Sequence, residues 1–125
     1  MSLAPMQHAL AAALALALSV LPAVAAELIM VEQKGCSHCI AWKDTIGPIY
    51  PKSPEGEFAP LRVVDIREGA PDGVRYDRPV TFTPTFILVE DGTEIGRIEG
   101  YPGEDFFWSL LDMLLKRETD YTGSG

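Results

Sequence analysis

Apolar and polar positions change their period several times along this chain, and each change marks a boundary. Residues 9–21 are an almost unbroken Ala/Leu run. The run is shorter than the roughly 20 apolar residues that a membrane-spanning helix needs. Pro22 interrupts it, and Ala23-Val24-Ala25-Ala26 then supplies the small side chains that a signal peptidase reads. Residues 1–26 are therefore expected to be a secretory signal peptide, cut after Ala25 or Ala26, although no Lys or Arg precedes the run. Leu28-Ile29-Met30-Val31 is a short apolar stretch that reads as a buried strand. From Cys36 onward Ile40, Trp42 and Ile46 recur at helical spacing until Gly47-Pro48 ends the pattern.

The remaining pattern divides in the same way. Residues 49–60 are proline-rich, with one short helical turn expected at Ser53-Pro54-Glu55, because Ser caps a helix and Pro suits its first position. Leu61-Arg62-Val63-Val64-Asp65-Ile66 reads as a second strand, and residues 68–79 as a turn-rich segment with room for a short helix. Thr85-Phe86-Ile87-Leu88-Val89 and Glu94-Ile95-Gly96-Arg97-Ile98 flank Asp91-Gly92, the signature of a hairpin. A helix is expected over residues 104–117, with an apolar stripe of Phe106, Phe107, Leu110, Leu111, Leu114 and Leu115. Its acidic first turn and basic last turn suit the helix dipole. Residues 119–125 are polar and are expected to be a disordered tail. A single domain over 27–118 follows, a small mixed sheet covered by helices on both faces.

Charge narrows the partners. The net charge is −8, and every charged side chain lies after Ala26. No basic cluster is present, which argues against nucleic acid and against anionic membrane surfaces. Once the signal is removed, no membrane insertion is expected, and His38 is the one histidine that remains.

The chemistry centres on Cys36 and Cys39, the two cysteines of the chain, in the stretch "GCSHC". As a structural clip the pair closes a very short loop, and chain-entropy stabilisation grows with loop length. As a metal site it lacks the second cysteine pair or distant histidine of structural zinc. Copper(I), with Met30 or Met113 as further ligands, stays open as a metallochaperone reading. As a redox pair it has a physical rationale. A C-x-x-C after a strand and at the start of a helix puts the first sulfur among unpaired amides that stabilise a thiolate. The second sulfur, one turn further in, can then attack a mixed disulfide formed by the first. Forty-five residues after Cys39, Thr83-Pro84 immediately precedes an apolar strand, an unusual place for proline.

Together "GCSHC", "TPTF" and the hairpin followed by "GYPGEDFFW" resemble the thioredoxin superfamily over essentially all of residues 27–116. Within it, the chain is similar to the small periplasmic thioredoxin-like (SoxS-type) proteins encoded with bacterial sulfur-oxidation (Sox) genes. The resemblance implies a thioredoxin-like, glutaredoxin-sized three-layer α/β sandwich. It also implies a redox-active Cys36–Cys39 disulfide, with Cys36 as nucleophile, Cys39 as resolving thiol, and Ser37 and His38 tuning the pair. Thr83, a cis-Pro84 and Tyr101 are expected to line a substrate groove. The implied activity is periplasmic thiol–disulfide exchange, without a bound cofactor or metal. It would reduce a protein disulfide, with a sulfur-carrier protein bearing a cysteine on a C-terminal arm as the expected partner. A membrane-linked thiol donor is expected to restore the dithiol; a dithiol oxidant running the exchange backwards is the rival. Three departures from ordinary thioredoxin stand out. Ser37-His38 replaces Gly-Pro, no aspartate accompanies Met30 and Val31 in the preceding strand, and the segment after Ile66 is short for a second long helix. A narrow substrate range is therefore expected. Glu32, near the motif, is a further candidate for tuning a sulfur.

Overall fold

The computed structural model describes residues 26–123. The elements in that range are β1 (Ala26–Glu32), α1 (Ser37–Thr45), α2 (Pro54–Phe58), β2 (Leu61–Asp65), β3 (Thr85–Glu90), β4 (Thr93–Glu99) and α3 (Glu104–Glu118), with 3₁₀ turns at Tyr50–Lys52 and Ile66–Glu68. The strands form one mixed sheet in the order β2-β1-β3-β4. β1 runs parallel to β2 and antiparallel to β3, and β3 is antiparallel to β4. The expected signal peptide lies outside the described residues apart from Ala26, which opens β1 opposite Glu90.

The two central strands are buried on both faces, and the two faces differ in size. Leu28, Met30, Phe86 and Leu88 point toward the helices, where Trp42 packs against Phe86 and Phe107 with ring centroids 5.1 and 5.5 Å apart. Ile29, Val31, Ile87 and Val89 point the other way and form a smaller β-branched layer. Each face follows from the period of two along a strand. Trp42, Tyr50, Phe107 and Leu111 are fully buried, so the helix-side core is built around aromatic rings that prefer tilted and edge-on contacts. The Trp108 ring stacks on Tyr50 at 6.1 Å, and the Tyr50 hydroxyl donates to the Ala59 carbonyl at 2.7 Å.

Local chemistry explains most boundaries. The Ser53 hydroxyl accepts from the Gly56 amide at 2.9 Å and caps α2, with Pro54 in the first turn. Asp91 and Gly92 have φ of 52° and 82°, the paired left-handed conformation that a two-residue hairpin turn needs. Gly96 allows α3 to approach β4, since a Cβ there would meet Leu114 Cδ1 at 2.5 Å.

The expected small mixed α/β sheet with its helices is present. The helices α1, α2 and α3 all contribute to the core on one face, and the second face is covered by the irregular segment between β2 and β3 through Val74, Tyr76 and Val80. Three finer expectations are corrected. Apart from the turn at Ile66–Glu68, residues 68–79 hold no helix. The segment carries Pro71, Gly69 and Gly73 and pairs with the sheet edge instead, where Arg75 donates to the Gly92 carbonyl at 2.7 Å and accepts from the Glu94 amide at 2.9 Å. The apolar stripe of α3 is also narrower than expected. Phe107, Leu111, Leu114 and Leu115 are buried, whereas Phe106 and Leu110 face outward, because α3 touches the core along one side. The third correction concerns the tail. Tyr121 is buried against Phe58 at 5.1 Å between centroids, and the Thr119 hydroxyl donates to the Leu115 carbonyl, so residues 119–121 are packed rather than free.

What holds the loop onto the second face is a buried ion pair. Glu94 and Arg97 on β4 have side chains 3% and 5% exposed and bond through two nitrogens, Nε at 2.7 Å and Nη2 at 2.6 Å. Arg97 also donates to the Arg78 carbonyl at 2.7 Å, and Glu94 accepts from the Asp77 amide at 2.8 Å. Burial opposes the Glu94 carboxylate, but the Arg97 guanidinium and the Asp77 amide together hold its pKa below the usual value of 4.5.

Removing one member of such a pair leaves the other buried and uncompensated. Arg97→Met is expected to cost about 3–5 kcal/mol in urea unfolding. Because the folded pKa of Glu94 is depressed, its contribution is complete above pH 4.5 and is lost as pH falls through the lower folded value. Glu94→Gln is expected to lower the thermal midpoint at pH 7 and to flatten the acid limb of stability against pH. An unchanged acid limb would show that the pair carries no linkage.

Candidate active site

The strand pairing brings the chemistry to one end of the sheet. Val31, next to the last residue of β1, lies opposite Thr85, the first residue of β3, and Thr85 in turn lies opposite Glu99, the last residue of β4. Chain leaving β1, entering β3 and leaving β4 therefore meets at that end, and these segments carry Cys36, Pro84 and Tyr101. Gly35, with φ of 81°, makes the left-handed turn out of β1. The Cys36 amide then donates to the Gln33 carbonyl at 3.2 Å.

Cys36 is the N-cap residue of α1, and its sulfur accepts from the Cys39 amide at 3.1 Å. It occupies the place where Ser or Asp oxygen is usually found. No acidic side chain stands in the first turn of α1, so no carboxylate competes for the helix end. In the reduced protein the same geometry offers a Cys36 thiolate an amide donor and the positive end of the helix dipole, worth about 0.3–1 kcal/mol at an exposed terminus and up to about 2 when partly buried. Cys36 and Cys39 are joined as a disulfide with Cα atoms 5.2 Å apart. Their exposures differ: Cys36 is partly exposed, and Cys39 is 2% exposed within the helix-side core.

Ser37 and His38 are both exposed on the first turn of α1. Pro84 is buried, its bond to Thr83 is cis, and its carbonyl accepts from the Gly100 amide at 2.7 Å. Thr83 places its hydroxyl out of solvent with no hydrogen-bond partner. The Thr85 hydroxyl donates to the Phe82 carbonyl at 2.8 Å, closing the turn around them. Tyr101 is half-buried, with its ring edge-on to Phe107 at 6.3 Å and its hydroxyl 2.9 Å from Thr45 Oγ1.

Glu32 does not face the dithiol as a free charge. It pairs with Lys43, in the second half of α1, which neutralises it. Trp42 is core, and its indole nitrogen is buried without a partner. Several site residues escaped the sequence reading. Ile40, read there only as part of the helical spacing, is 55% exposed one turn after Cys36, and Phe82, two residues before Pro84, is 46% exposed. The spacing of four from Cys36 to Ile40 carried the signal for the first, since such residues share a helix face. Thr45 and Lys43 had no local signal, as their partners are distant in sequence. Among the described residues, no group of three or more His, Cys, Asp and Glu side chains converges to hold a metal.

The geometry has counterparts among solved structures. No protein-family model matches the chain, and no curated protein does. The periplasmic thioredoxin SoxS from Paracoccus pantotrophus, solved in its reduced form, is 48% identical over 74% of this chain and 97% of its own, with a TM-score of 0.72. The chain belongs to the thioredoxin superfamily, in its SoxS-type branch. Fasciola hepatica thioredoxin, at 21% identity over 71% of this chain and 80% of its own, with a TM-score of 0.53, shares the fold. This SoxS-type thioredoxin is thus a thiol–disulfide oxidoreductase built on the Cys36–Cys39 pair. Among its described residues no helix is long and apolar enough to cross a membrane.

In the reduced protein, one equivalent of iodoacetamide is expected to label Cys36 far ahead of Cys39, as read by peptide mass. The pH midpoint for Cys36, measured in Cys39→Ser, should lie below about 8.5, the value of a free thiol. Equal labelling of both sulfurs would contradict the burial difference.

Proposed function

We propose that this protein works in the periplasm as a reductant of one specific protein partner, and that the partner is a sulfur-carrier protein of a thiosulfate-oxidising Sox system. The observation that carries the reading is the 48% identity to periplasmic SoxS, which spans 97% of that chain. Residues 1–26 serve as the export signal in this reading. The cycle uses the chain's own residues. Cys36 thiolate attacks one sulfur of the partner's disulfide, forming a mixed disulfide and releasing the other partner sulfur as a thiolate. Cys39 then attacks Cys36 Sγ, the mixed bond breaks, and the second partner sulfur leaves. Two electrons and two protons pass to the partner, and the Cys36–Cys39 disulfide remains. A membrane-linked dithiol donor reverses that change.

Each half of the site supports a role. Partial exposure of Cys36 suits the attacking sulfur, and burial of Cys39 suits a sulfur that reacts only within the mixed disulfide. Thr83 and Pro84 form the groove wall, with the extended substrate pairing beside them as an added strand. Ile40 and Phe82 add exposed apolar surface at the same end.

The role of His38 has a calculable limit. In its cationic form the side chain favours the Cys36 thiolate and so raises the potential, but it is exposed. Exposed ion pairs contribute about 0.2–1 kcal/mol. At about 30 mV per 1.4 kcal/mol this is roughly 5–20 mV. His38→Pro is expected to lower the potential by that amount, measured against a glutathione redox buffer. A fall several times larger would mean that His38 acts as an unscreened charge.

Trapping tests the partner. Cys39→Ser, expressed with its export signal in a thiosulfate-oxidising host, is expected to accumulate a mixed disulfide with the carrier's C-terminal cysteine, located by mass spectrometry after non-reducing separation. Cys36→Ser is expected to trap nothing. Equal trapping by the two variants would overturn the roles, and a mixed disulfide lacking the carrier would overturn the partner.

A further inference from the structure

The loop between β4 and α3 is Gly100-Tyr101-Pro102-Gly103, with φ of 87° and 115° at its two glycines. The glycines leave the loop little stiffness at its two ends. It nevertheless reaches both halves of the site. At one end the Gly100 amide holds the Pro84 carbonyl at 2.7 Å. Beside it, the Tyr101 hydroxyl lies 2.9 Å from Thr45 Oγ1, on the last residue of the helix that carries both cysteines. The Thr45 hydroxyl already gives its proton to the Ala41 carbonyl at 2.7 Å. Tyr101 is therefore the donor and Thr45 the acceptor, because a hydroxyl has a single proton to give.

We propose that Tyr101 is a positioning residue that does not itself contact substrate: its hydroxyl ties the loop to α1, and through the Gly100–Pro84 bond sets the distance between the groove wall and Cys36. This rests on the proposed groove at Thr83-Pro84. The chain of links runs from Thr45 to Tyr101 to Gly100 to Pro84, and each link is a hydrogen bond or a peptide bond. The ring of Tyr101 is fixed separately, edge-on against Phe107, so losing the hydroxyl leaves the ring seated and frees the loop alone. A wider groove weakens capture of an extended chain while leaving the sulfur chemistry of the captured complex intact.

The probe is a ten-residue Gly/Ala peptide whose single cysteine carries 5-thio-2-nitrobenzoate as a mixed disulfide, reduced by the full mature protein under steady supply of dithiol. Tyr101→Phe is expected to raise KM for this peptide by about twofold to tenfold, the scale of one neutral hydrogen bond, without a matching fall in kcat. Thr45→Val is expected to do the same, and the double variant to do no more than either single one, because both remove one link. Thr45→Ser, which keeps the hydroxyl, is expected to restore the KM. Multiplying effects in the double variant, or an effect of Tyr101→Phe without one of Thr45→Val, would overturn the proposal and make the Tyr101 hydroxyl a substrate contact. No effect of either would overturn it outright. Pro84→Ala separates the two layers of the reading: a raised KM there with none in Tyr101→Phe rejects the tie alone, and an unchanged KM in Pro84→Ala rejects the groove.

Discussion

The antiparallel pairing of β1 with β3 is the constraint on which the site depends. With Val31 opposite Thr85, the exit from one buried strand and the entry to the other are neighbours. A slip of one residue would exchange the two faces of a strand. In most half-exposed sheets polarity forbids such a slip, but here both faces are apolar, so polarity decides nothing. Size decides instead. The helix face takes Met30, Phe86 and the leucines against Trp42, while the opposite face takes Ile29, Val31, Ile87 and Val89 against a thin loop. Exchanging them would press Phe86 into the loop and leave β-branched side chains opposite Trp42, with overpacking on one side and cavities on the other.

The same division shapes the dithiol. Because α1 packs by Trp42 and Ile46, the helix rotates Cys39 into the core and leaves Cys36 and Ile40 facing out. Cys39 and the fully buried Met30 belong to the same apolar cluster on the helix side. Cys39 therefore sits among apolar groups, which disfavours its thiolate, whereas Cys36 has an amide bond and a helix end that favour its own. The asymmetry between two sulfurs three residues apart thus comes from helix rotation and helix polarity. Ser37 and His38, between the two sulfurs, are both exposed.

Much of this was legible where the signal is local. The hairpin at Asp91-Gly92, the capped turn at Ser53-Pro54, and a strand, turn and helix around Gly35 and Cys36 each depend on residues within a few positions of one another. What escaped depends on distant partners. Nothing near Tyr121 indicates that Phe58 waits for it, and nothing near Glu32 reveals Lys43. Helical periodicity showed which α3 residues were apolar, but only the packing of α3 along one side leaves Phe106 and Leu110 in solvent. The site divides likewise: Cys36, Cys39 and Pro84 stood out in the sequence, and the Tyr101–Thr45 bond spans 56 residues and did not.

The covering of the second face and the proposed groove wall belong to one segment. An ordinary second helix would have covered Ile29, Val31, Ile87 and Val89 by itself. Here the chain from Ile66 to Pro84 does so with four apolar side chains, Ile66, Val74, Tyr76 and Val80, too few to order a loop of that length against its conformational entropy. The Glu94–Arg97 pair supplies what the apolar contacts lack, because Arg97 holds the Arg78 carbonyl and Arg78 itself pairs with Glu99. The anchors Asp77 and Arg78 lie seven and six residues before Pro84 in the chain, and their partners lie on the strand that pairs with Thr85. A buried charge pair usually contributes little net stability relative to apolar residues of equal size. Its value here lies in geometry: it fixes where the loop ends, and the loop ends at Pro84, at the end of the sheet that carries the dithiol.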